Sequence, residues 1–211
     1  MISRGEYAAA FDLPAATLGA MSLRARWLAT TLWLWLSAGC ATAPAPAGET
    51  VEIDPHAMYP LEEGNAWSYD IDTGQAATTL AITRVEKRSG SEAHVRTGRK
   101  LVFYELVPEG IRLARGGAWL LRTPFELGAK WDAPGGRAAR IVAVDRLAQT
   151  HAGTFDGCIE VLETGGELDL EVRTVYCPGV GPVSVASTMR SNVSERSLTV
   201  TAKLRGYQVS P

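Results

Sequence analysis

Histidine and cysteine are scarce, with three of each in 211 residues. His56, His94 and His151 lie in separate segments, and no H-x-x-x-H, H-x-E or C-x-x-C spacing occurs, so a zinc site has no support. A G-x-S-x-G elbow and a phosphate-binding glycine loop are also missing. Charge of one sign is lacking too. Lys+Arg number 21 against Asp+Glu 23, for a formal net charge of −2, which argues against a dedicated nucleic-acid binder. Long apolar runs are absent: the ten-residue stretch Trp27–Leu36 would span only about 15 Å as a helix, half a hydrocarbon core. What the chain does have is glycine (21), proline (11) and a hydrophobic fraction of 46%, an ordinary globular composition rich in turns.

The stretch Met21–Cys40, MSLRARWLATTLWLWLSAGC, has the layout of a signal peptide. Arg24 and Arg26 precede the apolar run, and Ser37, Ala38 and Gly39 lead into Cys40. Residues 1–20 add nothing such a signal needs, so Met21 reads as the start of the functional leader.

Leu36-Ser37-Ala38-Gly39-Cys40 resembles the lipobox of bacterial lipoproteins, with Ser37 where that class usually carries Leu. The resemblance implies a lipid on the Cys40 thiol, cleavage before Cys40 and acylation of the new amine. Ala41, where an Asp would imply inner-membrane retention, implies outer-membrane sorting with the body facing the periplasm. Several acyl chains would anchor stably, whereas one alone binds only marginally. The expected organisation is therefore a removed leader at 1–39, a lipidated Cys and Pro/Ala tether at 40–50, and one domain at 51–211.

Period-2 alternation dominates that domain. Trp67, Tyr69 and Ile71 alternate in one segment; Leu80, Ile82 and Arg84 alternate with Ala81, Thr83 and Val85 in the next. Further runs cover 101–107, 110–115, 118–122, 140–146, 158–164, 168–177, 182–187 and 197–209. Gly116-Gly117 and Gly135-Gly136 read as hairpin turns. About ten short strands predict an all-β fold, an antiparallel curved sheet closed into a barrel or doubled into a sandwich. Beyond the signal helix, only a short turn is expected, near Asp54–Tyr59.

Two segments echo each other at an offset of 64 residues: Pro60, Glu62, Gly64 and Trp67 against Pro124, Glu126, Gly128 and Trp131, within PLEEGNAW and PFELGAKW. Both carry a Glu two places after the Pro, Glu62 and Glu126. In each, Pro ends the preceding segment, Gly permits positive φ, and Trp begins the next strand as a core anchor. YPLEEGNAWSYD, together with GTFDGC (153–158) and VYCPGVGPV (175–183), resembles uncharacterised β-rich bacterial lipoproteins. That resemblance implies an antiparallel β fold and brings no catalytic residue.

With Cys40 lipidated, Cys158 and Cys177 remain as an even pair in an oxidising compartment. Alternation puts both on the more polar face of one hairpin. A two-residue turn at Gly165-Gly166 would instead set Cys158 opposite Arg173, so the pair needs a bulge or a longer loop to meet. His151 reads as a solvated loop residue, and Glu62, Glu63, Asp70 and Asp72 as a solvated rim. Asn192-Val193-Ser194 matches a glycosylation sequon, which carries no information behind a bacterial leader.

No catalytic residue, cofactor or metal is expected. The expectation is a lipid-anchored envelope protein with a binding or structural β domain. Its partners would be the membrane, through the lipid, and a protein or apolar ligand. The alternative is a carrier with an apolar cavity in the curved sheet; a hydrolase is a remote third, since two carboxylates would have to face one cleft.

Overall fold

The computed structural model describes residues 54–74, 78–166, 170–190 and 197–210. Cys40, the leader, the tether and the sequon lie outside the described residues. The alternating segments become twelve strands: β1 (Ala66–Asp72), β2 (Thr79–Ser89), β3 (Glu92–Thr97), β4 (Lys100–Val107), β5 (Gly110–Leu113), β6 (Trp119–Arg122), β7 (Lys130–Ala133), β8 (Arg137–Thr150), β9 (Gly153–Gly165), β10 (Leu170–Cys177), β11 (Gly181–Arg190) and β12 (Ser197–Gln208). They form one antiparallel sheet in the order β6-β5-β4-β3-β2-β1-β12-β11-β10-β9-β8-β7. Two six-stranded meanders, β1–β6 and β7–β12, thus join where β1 pairs with β12, and the sheet curls into a nearly closed barrel.

Two strands go beyond the runs expected from the sequence, β3 and β7. In β3 the inward face is Ala93, Val95 and Thr97, a small apolar signal between charged neighbours, and β7 has four residues. Curvature comes from register shifts, at Ser68/Tyr69, at Val85/Lys87, at Val175/Tyr176 and three times along β8.

Inward-facing Trp67, Val85, Val95, Leu106, Ile111, Leu121, Ile141, Val161 and Leu204 are enclosed. On β2 the structure chooses Ala81, Thr83 and Val85 for the interior and leaves Leu80 and Ile82 outside, 54% and 55% exposed. The reason lies across the ladder: Thr83 is opposite Trp67 and Ala81 is opposite Tyr69, so pairing with the inward-facing rings puts these residues on the inner face and Leu80 and Ile82 on the outer one. One end of the barrel is plugged by the segment 54–61, which turns at Asp54–Ala57 (N–O 3.0 Å) and buries Met58, Tyr59 and Leu61. The β8–β9 tip also crosses to β12, where the Ala152 N–H donates to the Leu204 carbonyl at 3.3 Å.

The two echo segments have the same backbone hydrogen bonds. Gly64 N–H donates to Val85 O (3.0 Å) and Gly128 N–H to Ile141 O (2.9 Å). Val85 N–H returns to Asn65 O (2.9 Å), and Ile141 N–H to Ala129 O (3.0 Å). Turns close from Asn65 N to Glu62 O (3.1 Å) and from Ala129 N to Glu126 O (3.0 Å). Gly64 and Gly128 have φ of 89° and 86°, a conformation that L side chains adopt only under strain. Each segment opens one meander, placing Trp67 at the head of β1 and Trp131 at the head of β7, both buried.

Cys158 and Cys177 are joined by a disulfide, with Cα atoms 4.2 Å apart. β9 and β10 pair from Gly165↔Leu170 to Ile159↔Tyr176, so the connection spans 166–169 and the next opposed positions are the two cysteines. The longer loop supplies the register that a two-residue turn would have denied. Both cysteines point away from the lumen, yet they are buried, at 0% and 1% exposure, so the outer face at this end is not the polar surface its neighbours suggest.

Candidate ligand-binding site

The lumen is not filled along its whole length. Above the plug lies a cavity of about 260 Å³, floored by Tyr59, Tyr69 and Tyr104 and walled by Ile71, Val102, Val185 and Ala202 among others. Strand pairing explains which side chains meet there. Ala202 is opposite both Ile71 and Val185, and Val102 is opposite Val95, so residues from both meanders share one apolar wall. Exposure rises along β11 and β12 from Val183 and Leu204 (both 0%) to Met189 (37%) and Leu198 (52%). The mouth is therefore at the end opposite the plug, with Leu170, Met189 and Leu198 paired in a row along its lip.

Tyr59 is the centre of the floor. Its ring meets Trp67 edge-on at 5.2 Å, Tyr104 at 6.5 Å and Tyr176 at 6.3 Å between centroids. Tyr69 donates its hydroxyl to the Pro182 carbonyl at 2.8 Å. Tyr59 and Tyr104 line the cavity beside it. Burial raises the pKa of all four phenols, that of Tyr104 to about 12, with Coulombic repulsion from Glu163 adding to the shift at Tyr104 and Tyr176. They stay protonated at physiological pH and can donate a hydrogen bond. On the wall, Thr83 and Thr97 satisfy each other at 2.8 Å.

Glu163 also faces inward, only 5% exposed, and receives the Arg137 guanidinium through Nε and an NH2 group, each at 2.9 Å. Burial raises its pKa despite the opposing pull of Arg137. Outside the barrel, Asp70 accepts from Arg205 (3.0 Å) and bonds His151 Nδ1 (2.8 Å). These bonds hold its carboxyl below the usual range. Asp70 is thus a mid-strand tie to the β8–β9 tip rather than part of a solvated rim, while His151 itself is exposed as expected for a loop residue.

The other sequence candidates do not converge on the cavity. His56 bonds the Val107 carbonyl at 3.0 Å, and His94 pairs with Glu92 at 2.6 Å while packing on Phe103. Pro60, Gly64, Pro124 and Gly128 build turns, and the disulfide lies on the outward face of β9 and β10. Sequence reasoning did not single out Tyr59, Tyr104 and Glu163. Alternation marks Tyr104 as one face of a strand, but only closure of the sheet brings it to Tyr59.

No protein-family description matches the chain, and no curated protein does. Two solved structures resemble it. One is named as an exported protein with a YmcC-like fold from Bacteroides fragilis, 12% identical, TM-score 0.46, covering 70% of this chain and 96% of the other. The second is named as a lipoprotein from Parabacteroides distasonis, 14% identical, TM-score 0.37, covering 72% and 98%.

Proposed function

We propose that this protein is a lipid-anchored binding module of the bacterial cell envelope, held to the outer membrane through Cys40 and facing the periplasm. Its lumen takes the apolar portion of a ligand. The observation that carries the reading is the cavity itself: an apolar wall above a floor of three tyrosines, Tyr59, Tyr69 and Tyr104. An acyl chain ending in an ester or amide carbonyl has the matching chemistry, with methylenes against Val185 and Ala202 and an oxygen within reach of the phenols. At about 260 Å³ the space is smaller than the roughly 300–1,000 Å³ of pockets that enclose whole ligands. That size favours a module gripping one chain at its mouth over a carrier that swallows its cargo. The role proposed is binding rather than catalysis.

Displacement of a fluorescent apolar probe, N-phenylnaphthylamine, by long-chain fatty acids tests the site. Ala202→Trp fills the cavity, and binding is expected to fall at least tenfold while the thermal midpoint stays near that of the parent. Failure of the parent protein to bind the probe, or equal binding by the filled variant, would remove the reading. The anchor is tested separately. Cys40→Ala should abolish both palmitate labelling and membrane association, and persistence of both would refute lipidation at this position.

A further inference from the structure

We propose that Arg137, braced by Glu163 at the mouth of the lumen, receives the anionic head group of an acyl ligand whose chain enters the cavity. This rests on the reading of the lumen as an acyl site and names the head group that such a ligand carries. Side-chain parity places both residues on the inner face. Arg137 alternates with the buried Ala139 and Ile141 on β8, and Glu163 with the buried Ile159 and Val161 on β9. Arg137 is opposite Gly165, which is in turn opposite Leu170 of the lip. Among the described residues Glu163 is the one charged side chain that is fully enclosed. An ion pair is costly to desolvate, and apolar side chains of similar volume would fill the same space without that cost. The pair therefore points to a polar task inside the lumen.

The pair is continuous with the cavity. Across the ladder Glu163 is opposite Val172, Val172 opposite Ser187, and Ser187 opposite Val200. Val185 and Ala202, in the cavity wall, are two residues from Ser187 and Val200 and share their face. From the other meander Tyr104 lines the cavity, and its phenol is near enough to feel the Glu163 charge. The carboxylate and the phenol thus mark one polar corner, toward which the oxygen-bearing end of an acyl ligand is drawn.

Glu163 holds the guanidinium by one edge. Nε and Nη2 both lie 2.9 Å from Glu163 Oε2, whereas Nη1 takes no part in that contact. The Arg137 side chain is 22% exposed against 6% for Glu163, so the arginine is the outer member of the pair. Two glycine turns make room for it. A Cβ on Gly135 would lie 2.9 Å from Nη1. One on Gly166 would lie 3.3 Å from Arg137 Cγ and 2.8 Å from the Gly135 carbonyl oxygen. Glu163 fixes the guanidinium plane and leaves the Nη1 side to a carboxylate or phosphate, through charge-assisted hydrogen bonds.

Displacement of N-phenylnaphthylamine from the intact protein at neutral pH is the test, with dodecanoate, dodecyl phosphate, dodecanol and dodecylammonium as competitors of one chain length. At least one of the two anions should displace the probe at a concentration at least tenfold lower than dodecanol or dodecylammonium. Whichever anion is tighter identifies the head group as carboxylate or phosphate. Glu163→Gln removes the competing charge and keeps an oxygen for Arg137, so the preference for the anion should rise. Arg137→Gln combined with Glu163→Gln leaves no unpaired charge buried. That double variant should lose the preference while dodecanol displaces the probe as in the parent, which also shows that the cavity has stayed folded. Displacement by dodecanol equal to that by both anions in the parent would overturn the head-group assignment and leave the acyl site standing. So would a preference that survives in the double variant or fails to rise in Glu163→Gln. Failure of all four compounds to displace the probe would remove the acyl site itself, and this assignment with it.

Discussion

Trp67→Ala should lower the unfolding free energy by about 3–5 kcal/mol, the usual cost of deleting a large enclosed ring. The side chain is 1% exposed, packs against Tyr59 and joins the head of β1 to the β10–β11 turn. Trp131→Ala should fall at the lower end of the same range, since that ring is 6% exposed and borders the junction of β6 and β7, which do not pair. The conservative replacements separate the two sites more sharply. Trp67→Phe strands the Val180 carbonyl, which should cost about 1–3 kcal/mol beyond the lost ring volume. Trp131→Phe removes a donor that has no acceptor, so it should be less costly than Trp67→Phe. Urea unfolding of the four variants measures all of this. If the two Phe variants were equally destabilised, the Trp67 hydrogen bond would contribute nothing particular.

Reduction of Cys158–Cys177, or its replacement by Ser–Ser, should cost about 3 kcal/mol in the chain-entropy treatment of a loop closed over a separation of 19. Against a typical total of about 5–15 kcal/mol this is a large share. The effect should appear as a lower urea midpoint, because the bond lies within the barrel wall. Two free thiols titrated in unreduced, unfolded protein would contradict the assignment directly. Both Sγ atoms lie in enclosed surroundings, so reductant should act slowly on the native state and quickly once urea opens the sheet.

The two expectations have different origins. Burial of both tryptophans was legible because Pro, Glu, Gly and Trp recur at the same spacing, and local turn chemistry alone suffices to place a ring at the start of a strand. The cysteine pair was legible only up to its register. Parity put Cys158 and Cys177 on one face, but whether they met depended on a loop of four residues instead of two, which local sequence does not fix.

The sequence by itself determined the β class, most strand positions, the paired turns at Gly64 and Gly128 and the two cysteines available to bridge. These follow from side-chain parity, positive φ and residue counting, all properties of a few consecutive residues. Tertiary structure decided the rest. It chose Ala81 and Thr83 over Leu80 and Ile82 for the lumen, because the β1–β2 register sets them opposite the inward-facing Tyr69 and Trp67. It assembled the cavity floor from Tyr59, Tyr69 and Tyr104, which closure of the sheet brings together from three separate segments. It also left one junction of the repeated meanders paired and the other unpaired. β7 has four residues against seven in its counterpart β1, and a strand that short offers little ladder to offset the entropy of ordering it.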